Sequence, residues 1–362
     1  MNIKTPQTTE EAAAIFNDAR AAGLAIIPAG RLTKLRHDPA IQNEDAAIIS
    51  TRALNRVVAV EPENLLAVVE AGVTPEALAT ALAPTGLYWP VTGLDGRSLG
   101  GIIADGLSGA ECMSRGTTVD WILGAAFITP AGQIVRSGGR TLKNVSGYDF
   151  TRLAWRSRGR LGLAVEFILK LLPHPAASKI LEVETAGPAE AAAFCRRIIG
   201  EKLWPDALRI EIEDGRVVVA VWFAGFEQVV EIRTGQALVL AENGKAATVH
   251  EDGAAYWQAR QNKWPIADSS FRALLGSRAA VLVMVESLAG TKMARRLKAD
   301  FDIGGGRVLL AAGQKLPKLP EGLAVDRFVS KSPVYQRVKK TIDPEDVLFP
   351  GWLTSSDSGG CA

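Results

Sequence analysis

Thr92-Gly93-Leu94-Asp95-Gly96-Arg97-Ser98-Leu99-Gly100-Gly101-Ile102-Ile103-Ala104-Asp105-Gly106-Leu107-Ser108-Gly109 is the stretch on which the fold turns. It holds six glycines in eighteen residues, without the serine-rich monotony of a linker. Bare backbone of this kind lets main-chain N–H groups meet an anion unobstructed, and a diphosphate is the natural guest. Glycine density alone leaves a second reading open, a turn-rich loop with no ligand. Two other phosphate signatures are set aside. No G-x-x-x-x-G-K-[ST] loop occurs, and Gly159-Arg160-Leu161-Gly162 is a lone partial match to a dinucleotide fingerprint, so a Rossmann NAD site is not expected.

Upstream, helix and strand signals alternate. Thr8-Thr9-Glu10-Glu11 has capping-box spacing and opens an alanine-rich helix that ends at Gly23. Leu24 to Ile27 reads as a buried strand delivering the tight loop Pro28-Ala29-Gly30, the first place for a ligand. Residues 46–50 predict a strand, Val57–Val60 and Leu65–Ala71 a hairpin, and Thr74-Pro75 a capped helix stopped by Pro84. This alternation excludes an all-helical or all-β domain. From Pro90 to Gly147 helix periodicity disappears. Beyond residue 175 longer amphipathic segments return, among them a helix near Ala189–Ile199 and an alternating run Arg209–Val221. Near the end, Val334–Lys340 predicts a helix, Asp343-Pro344 a turn, and Ser355–Ala362 a frayed tail.

The bulk numbers bound the function. A chain of 362 residues, 48% apolar and 22% charged, can bury two cores. Its 41 basic and 39 acidic residues nearly cancel, so nucleic-acid binding is not expected. Cys112, Cys195 and Cys361 form no C-x-x-C pair, which fits a reducing compartment without a disulfide framework, structural zinc or iron–sulfur cluster in this chain. No apolar run of about 18 residues occurs, and the start Met1-Asn2-Ile3-Lys4-Thr5-Pro6 lacks an apolar core, so neither a membrane span nor a signal peptide is expected.

Ser98-Leu99-Gly100-Gly101 followed by Ala104 and Gly109, then Gly116-x-x-x-Asp120-x-x-Leu123-Gly124 and Pro130-x-Gly132, resembles the FAD-binding core of the p-cresol methylhydroxylase (PCMH) type, in the vanillyl-alcohol oxidase superfamily. Lys143-Asn144-Val145-Ser146-Gly147-Tyr148-Asp149-Phe150-Thr151-Arg152-Leu153 and Gly159-x-x-Gly162-Leu163-Ala164-Val165-Glu166 resemble its last two FAD-domain segments, and the first of these points to the E subunits of bacterial glycolate oxidases. The resemblance implies an α+β chain: a two-subdomain PCMH-type FAD-binding domain over residues 1–174, a smaller α+β cap domain over 175–330, and a C-terminal segment, 331–362, packing back on the FAD domain. It also implies non-covalent FAD held at Gly30, Arg31, Thr33, Ser98, Gly100, Gly101, Asp105, Gly109, Asp120, Gly162 and Val165. The partners it implies are a catalytic FAD subunit and an iron–sulfur subunit. A small 2-hydroxy acid is the substrate of the complex, which lies in the cytoplasm or reaches the inner membrane only through partners. Three departures stand out. The first loop is Ala29-Gly30-Arg31-Leu32-Thr33 where many members have a triple glycine. Thr33 stands where some carry a flavin-linking histidine, and Phe349 replaces an asparagine.

Oxidising a 2-hydroxy acid needs a base and cationic clamps for the carboxylate. Only His37, His174 and His250 are present, none at metal-ligand spacing, so no metal site is expected. His174, between two prolines, reads as a linker residue, His250 as a surface residue, and His37 as a loop residue beside the first FAD loop. Tyr148 and Asp149 could approach the flavin, or Tyr148 could be a packed aromatic. Arg152, Arg156, Arg158 and Arg160 could steer an anion, with a solvated charged face as the rival reading. Trp204, Trp222, Trp257 and Trp264 suit core packing or an interface, and Cys112 a buried core position. Three functions follow: an FAD-binding redox subunit of a glycolate oxidase complex, a self-sufficient FAD-dependent 2-hydroxy-acid dehydrogenase, or a structural subunit with a vestigial flavin fold.

Overall fold

In the computed structural model, the described residues are 2–33, 45–94, 96–141, 149–241, 246–262, 269–275, 278–289, 296–301, 306–311 and 333–349. They fall into two units, one drawn from Met1–Ser108, Thr118–His174 and Phe328–Ser358, the other from Gly109–Thr117, Pro175–Arg327 and Gly359–Ala362.

The first unit starts with a parallel sheet of β1 (Asn2–Lys4), β2 (Ala25–Ala29) and β3 (Ala46–Ser50), in the order β1-β3-β2. The helix Thr9–Ala21 forms where the capping spacing places it. Thr8 Oγ1 accepts from the Glu11 N–H at 3.1 Å, and Glu11 reaches back to the Gln7 N–H at 2.7 Å. Its buried face, Ala12, Phe16 and Ala19, packs with Ile26, Ala47, Ile49 and Leu54.

The helix Pro333–Ile342 and the turn after it close this sheet. Lys339 Nζ lies buried against Asp343 and donates to Leu348 O at 2.8 Å, while Asp343 accepts the N–H groups of Val347 and Leu348, each at 2.9 Å. A buried charge persists when it is paired and hydrogen-bonded in this way. The turn thereby brings Leu348 beside Ile26, where Ile26 N–H donates to Val347 O and Phe349 N–H to Ile26 O.

The unit's second sheet joins β4 (Val57–Glu61), β5 (Leu66–Glu70), β7 (Ile122–Ile128), β8 (Ile134–Gly138) and β9 (Leu163–Lys170) in the order β4-β5-β9-β7-β8. A small pair, β6 (Leu87–Tyr88) with β10 (Leu172–Pro173), stands apart. The predicted 57–71 hairpin forms around Pro62–Asn64, and Thr74 caps the helix Pro75–Leu82.

One expectation fails here. Where periodicity suggested no helix, Leu99–Asp105 is helical. Ser98 caps its start, and Gly106 ends it at φ +64°. Its glycines face a close neighbour: a Cβ on Gly100 would lie 3.0 Å from Ala71 O. Tertiary contact overrides the poor helix propensity of glycine, worth about 1 kcal/mol per residue.

The second unit is an antiparallel sheet of β11 (Ala177–Thr185), β12 (Ala207–Glu213), β13 (Arg216–Gly225), β14 (Ala246–His250), β15 (Ser269–Leu275), β16 (Arg296–Phe301) and β17 (Gly306–Ala311), in the order β14-β11-β13-β12-β16-β17-β15. The run read as one alternating stretch, Arg209–Val221, is two strands. Asp214 and Gly215 take φ +47° and +88°, the conformation of a tight hairpin turn. Helices Pro188–Gly200 and Arg278–Ala289 add Phe194, Cys195, Ile198, Val281 and Val285 to a core shared with Leu208, Ile210, Val219 and Val221. Gly109–Thr117, inside the span assigned from sequence to the FAD domain, clusters with this unit. Met113 enters its core, and Ser114 Oγ donates to Asp206 Oδ1 at 2.6 Å. Burial pushes the Asp206 carboxyl up, against the opposing hydrogen bonds from Ser114 and the Ala224 N–H.

Burial also pushes the Cys195 thiol well above its ordinary value. A thiol held so far from its thiolate is inert. Cys195 should therefore stay unlabelled by iodoacetamide in the folded chain at pH 8 and label fully in denaturant, as read by peptide mass spectrometry.

Candidate functional site

The loop after β2 is one place where the first unit departs from ordinary backbone. Leu32 takes φ +60°, a left-handed conformation that costs a non-glycine residue about 1–2 kcal/mol. The loop thus keeps a glycine-like path without a glycine at that position. Ser50 Oγ donates to Gly30 O at 2.7 Å and Thr51 Oγ1 to Ala29 O at 3.3 Å, tying the loop to the end of β3. Arg31 is exposed and Thr33 half-buried.

Gly30 meets the glycine-rich segment directly. A Cβ built on it would lie 2.2 Å from Ser98 Oγ and 3.7 Å from the Gly101 nitrogen. Ser98 is buried, and its Oγ accepts the Gly101 N–H at 3.2 Å. The Leu99 N–H donates to Val73 O and the Gly100 N–H to Ala71 O, both at 2.8 Å. These three N–H groups, expected from sequence to face an anion, are therefore engaged inside the protein. At Gly100 and Gly101 glycine serves close packing.

The start of β9 joins the same assembly. Val165 O accepts the Ala71 N–H at 2.9 Å, and Gly162 lies where a Cβ would come 3.0 Å from Ile128 O. Gly159, at φ +76°, rests on Pro28, its built Cβ 2.8 Å from Pro28 Cβ; Pro28 and Ala29, expected in the loop, are the last residues of β2, paired with Ile49 and Ser50. Gly30, Ser98, Gly100 and Gly101 are thus brought together with Val165, through Ala71, and with Gly159, through Pro28, whereas Gly162 packs on Ile128 O. Asp105 sits at the far end of the helix Leu99–Asp105, buried, with Arg158 Nε 3.5 Å from its carboxylate. Asp120 is exposed in the short turn Thr118–Trp121. Gly109 belongs to the second unit. His37 and Lys143–Tyr148 lie outside the described residues.

Sequence reasoning undervalued the arginines after Trp155. Arg152 is exposed, but Arg156 and Arg158 are half-buried and Arg160 is buried. The available signal was the spacing 156, 158, 160 around Gly159, which suits a folded turn better than an open helical face. The remaining described histidines are occupied elsewhere. The His174 ring stacks on Tyr88 with centroids 4.8 Å apart. In the second unit, His250 Nε2 lies 3.7 Å from Glu182 and its ring 4.5 Å from Tyr256. Burial, then the hydrogen bond to Glu182, push the Tyr256 phenol well above its ordinary range, so it is no base near neutral pH. Among the described residues, no three His, Cys, Asp or Glu side chains gather as a metal site, and no helix is long and apolar enough to cross a membrane.

The residues suit an anionic dinucleotide. Two segments meet closely at Gly30, a cationic side chain is buried near the end of β2 at Arg160, and the buried donors Trp89 Nε1 and Thr151 Oγ1 have no hydrogen-bond partner among the described residues. Buried donors of that kind are uncommon in native proteins and are met by water or ligand.

Residues 2–138 match the family described as "FAD binding domain". The chain is 30% identical over 208 residues to "Glycolate oxidase subunit GlcD" of Bacillus subtilis (strain 168), covering 57% of this chain and 44% of that one. It is 31% identical over 181 residues to "D-2-hydroxyglutarate dehydrogenase" of Xanthomonas citri pv. viticola, covering 49% and 38%. With "Glycolate oxidase subunit GlcE" of Escherichia coli (strain K12) it shares 35% identity over 143 residues, 36% of this chain and 39% of that one. The matched segments thus span less than half the length of these relatives. A solved structure of alkyldihydroxyacetonephosphate synthase shares the fold, with a TM-score of 0.75 at 18% identity over 96% of this chain and 75% of that one. The matched segment is an FAD-binding domain and FAD is its cofactor, on a mixed α and β fold of the PCMH type.

Proposed function

We propose that this chain is an FAD-dependent oxidoreductase subunit of a glycolate-oxidase-type complex. In that reading the complex oxidises glycolate, and D-lactate, to the 2-oxo acid and passes electrons to an iron–sulfur subunit, in the cytoplasm or at a membrane reached through partners. The observation that carries it is the meeting of the Gly30 loop, the Ser98–Gly101 segment and the Gly159–Val165 strand start in one place. Relatives named as glycolate oxidase subunits and 2-hydroxy-acid dehydrogenases supply the substrate class.

Bound FAD supplies the hydride-accepting ring, which no side chain can replace. The chain's own part is to hold it and orient it. Gly30 keeps the first loop free of a Cβ at the seam, Ser98 caps the start of the glycine-rich helix by accepting the Gly101 N–H, and Val165 anchors Ala71 beneath Gly100. Arg31, Thr33, Asp105, Gly109, Asp120 and Gly162 remain proposed contacts. The attachment is non-covalent, because Thr33 offers no imidazole to link to the flavin.

The purified chain should therefore show a flavin band near ~450 nm, and trichloroacetic acid should release all of it to the supernatant. A colourless chain that takes up no added FAD would overturn the reading, and a yellow pellet would overturn the non-covalent attachment.

A further inference from the structure

Trp155-Arg156-Ser157-Arg158-Gly159-Arg160 places three arginines in five residues, and the structure half-buries Arg156 and Arg158 and buries Arg160. The N–H groups of Arg156 and Arg158 donate to Ile103 O and Ala104 O, at 3.2 and 2.9 Å, so the segment is tied along the glycine-rich helix. The stem of Arg156 covers Gly106, where a Cβ would lie 2.2 Å from Arg156 Cγ, and its guanidinium sits 4.5 Å over the Trp155 ring. Both residues take left-handed backbone, at φ +64° and +52°. Two strained arginines persist only where surrounding contacts over-determine them, and such places cluster at ligand clamps.

Arg160 is the endpoint of this construction. It is 6% exposed, and its guanidinium lies 5.0 Å over the Phe349 ring. Phe349 packs with Ala29 and Leu32, so the cation is set where β2 runs into the first loop, and Gly159 next to it rests on Pro28 near the end of β2. The carboxylate of this segment, Asp105, is engaged by Arg158 at 3.5 Å. Meanwhile the N–H groups of Leu99, Gly100 and Gly101 are taken up by Val73, Ala71 and Ser98. The glycine-rich backbone therefore contributes little positive potential of its own, and a doubly anionic diphosphate needs a cation at this seam. A planar guanidinium, always charged and weakly hydrated, is the side chain suited to bury there.

We propose that Arg160 binds the FAD diphosphate, held in place by Phe349 and by the arginine turn, and supplies the charge that the glycine segment does not. This rests on the FAD reading above. The test compares FAD dissociation constants of the full-length wild type, Arg160→Gln and Arg160→Lys, each prepared flavin-free and titrated by flavin fluorescence from 50 to 500 mM salt. Thermal unfolding of each apoprotein runs alongside.

Arg160→Gln should weaken FAD about 10- to 100-fold at low salt, the effect of losing a charge-assisted pair, and flatten the salt dependence. Arg160→Lys should weaken it less and keep the slope, because the charge stays and the fork is lost. A merely structural role would lower apoprotein stability and leave the salt slope unchanged. Gln and Lys variants that bind FAD within twofold of wild type at every salt would overturn the assignment while leaving the FAD reading intact. Wild type that binds no FAD would overturn both. If the glutamine variant does not fold, the lysine variant decides alone, and unchanged affinity in it rejects the proposal.

Discussion

Gly72→Ala is expected to destabilise the first unit by about 3 kcal/mol or more, the upper range for overpacking a closed site. Gly72 is buried at the turn after β5, its N–H donating to Leu54 O at 2.7 Å. A Cβ there would come 2.1 Å from Thr51 O, 2.6 Å from Leu54 O and 3.1 Å from the Arg52 carbonyl carbon. All three are backbone atoms, so no rotamer change relieves the overlap and two chain segments must separate. For a unit of this size such a loss lowers the melting temperature by about 6–12 °C. FAD affinity should fall with it, because Ala71 O and Val73 O, on either side of Gly72, accept the N–H groups of Gly100 and Leu99. Gly139→Ala is the control: its added Cβ meets nothing within 4 Å among the described residues, and its melting temperature should match wild type. Differential scanning fluorimetry on the two variants reads both effects, and equal melting would show that the turn can open without loss.

What the sequence disclosed and what it hid follow from how local each cause is. The caps at Thr8 and Thr74 and the hairpin around Pro62–Asn64 depend on residues three or four apart, and all three form as expected. The helix Leu99–Asp105 was hidden because its cause is distant: Ala71 and Val73 hold it against glycine's preference for open backbone. The hairpin at Asp214-Gly215 was legible but passed over: the alternation of Arg209–Glu213 stops at Glu213-Asp214-Gly215-Arg216, where Asp-Gly is itself a hairpin signal, before the apolar run Val217–Val221. At the site, the glycine positions were legible as a place of close approach. Their purpose was not, since hydrogen bonds to Val73 and Ala71 cannot be read from glycine spacing. The arginine spacing 156, 158, 160 signalled a folded turn, but not the ring that covers Arg160, since Phe349 arrives from the far end of the chain through the Lys339–Asp343 turn.

The chain loaded with FAD but separated from partner subunits should keep its ~450 nm band on anaerobic mixing with glycolate or D-lactate, whereas the assembled complex should lose it within its turnover time. The reason is the supply of bases. Taking the hydroxyl proton of a 2-hydroxy acid wants a positioned base, worth roughly 100- to 10,000-fold in rate. The His174 ring is stacked on Tyr88, just beyond the small β6–β10 pair, with the residue's backbone N–H bonded to Gly86 O. His250 is held against Glu182 and Tyr256, and Glu182 is kept below its usual range, since the Tyr256 hydrogen bond and the charges of Arg260 and Arg216 outweigh burial. A carboxylate so satisfied is a poor proton acceptor. Stopped-flow spectra of the single chain and of the complex, at equal flavin concentration, measure the difference, which should be at least about 100-fold. Fast flavin reduction in the single chain by either acid would reject the subunit reading in favour of a self-sufficient dehydrogenase. The search for its base would then begin with Lys143 and Tyr148, beside Asp149, whose carboxylate caps the helix Phe150–Ala154 through the Arg152 N–H.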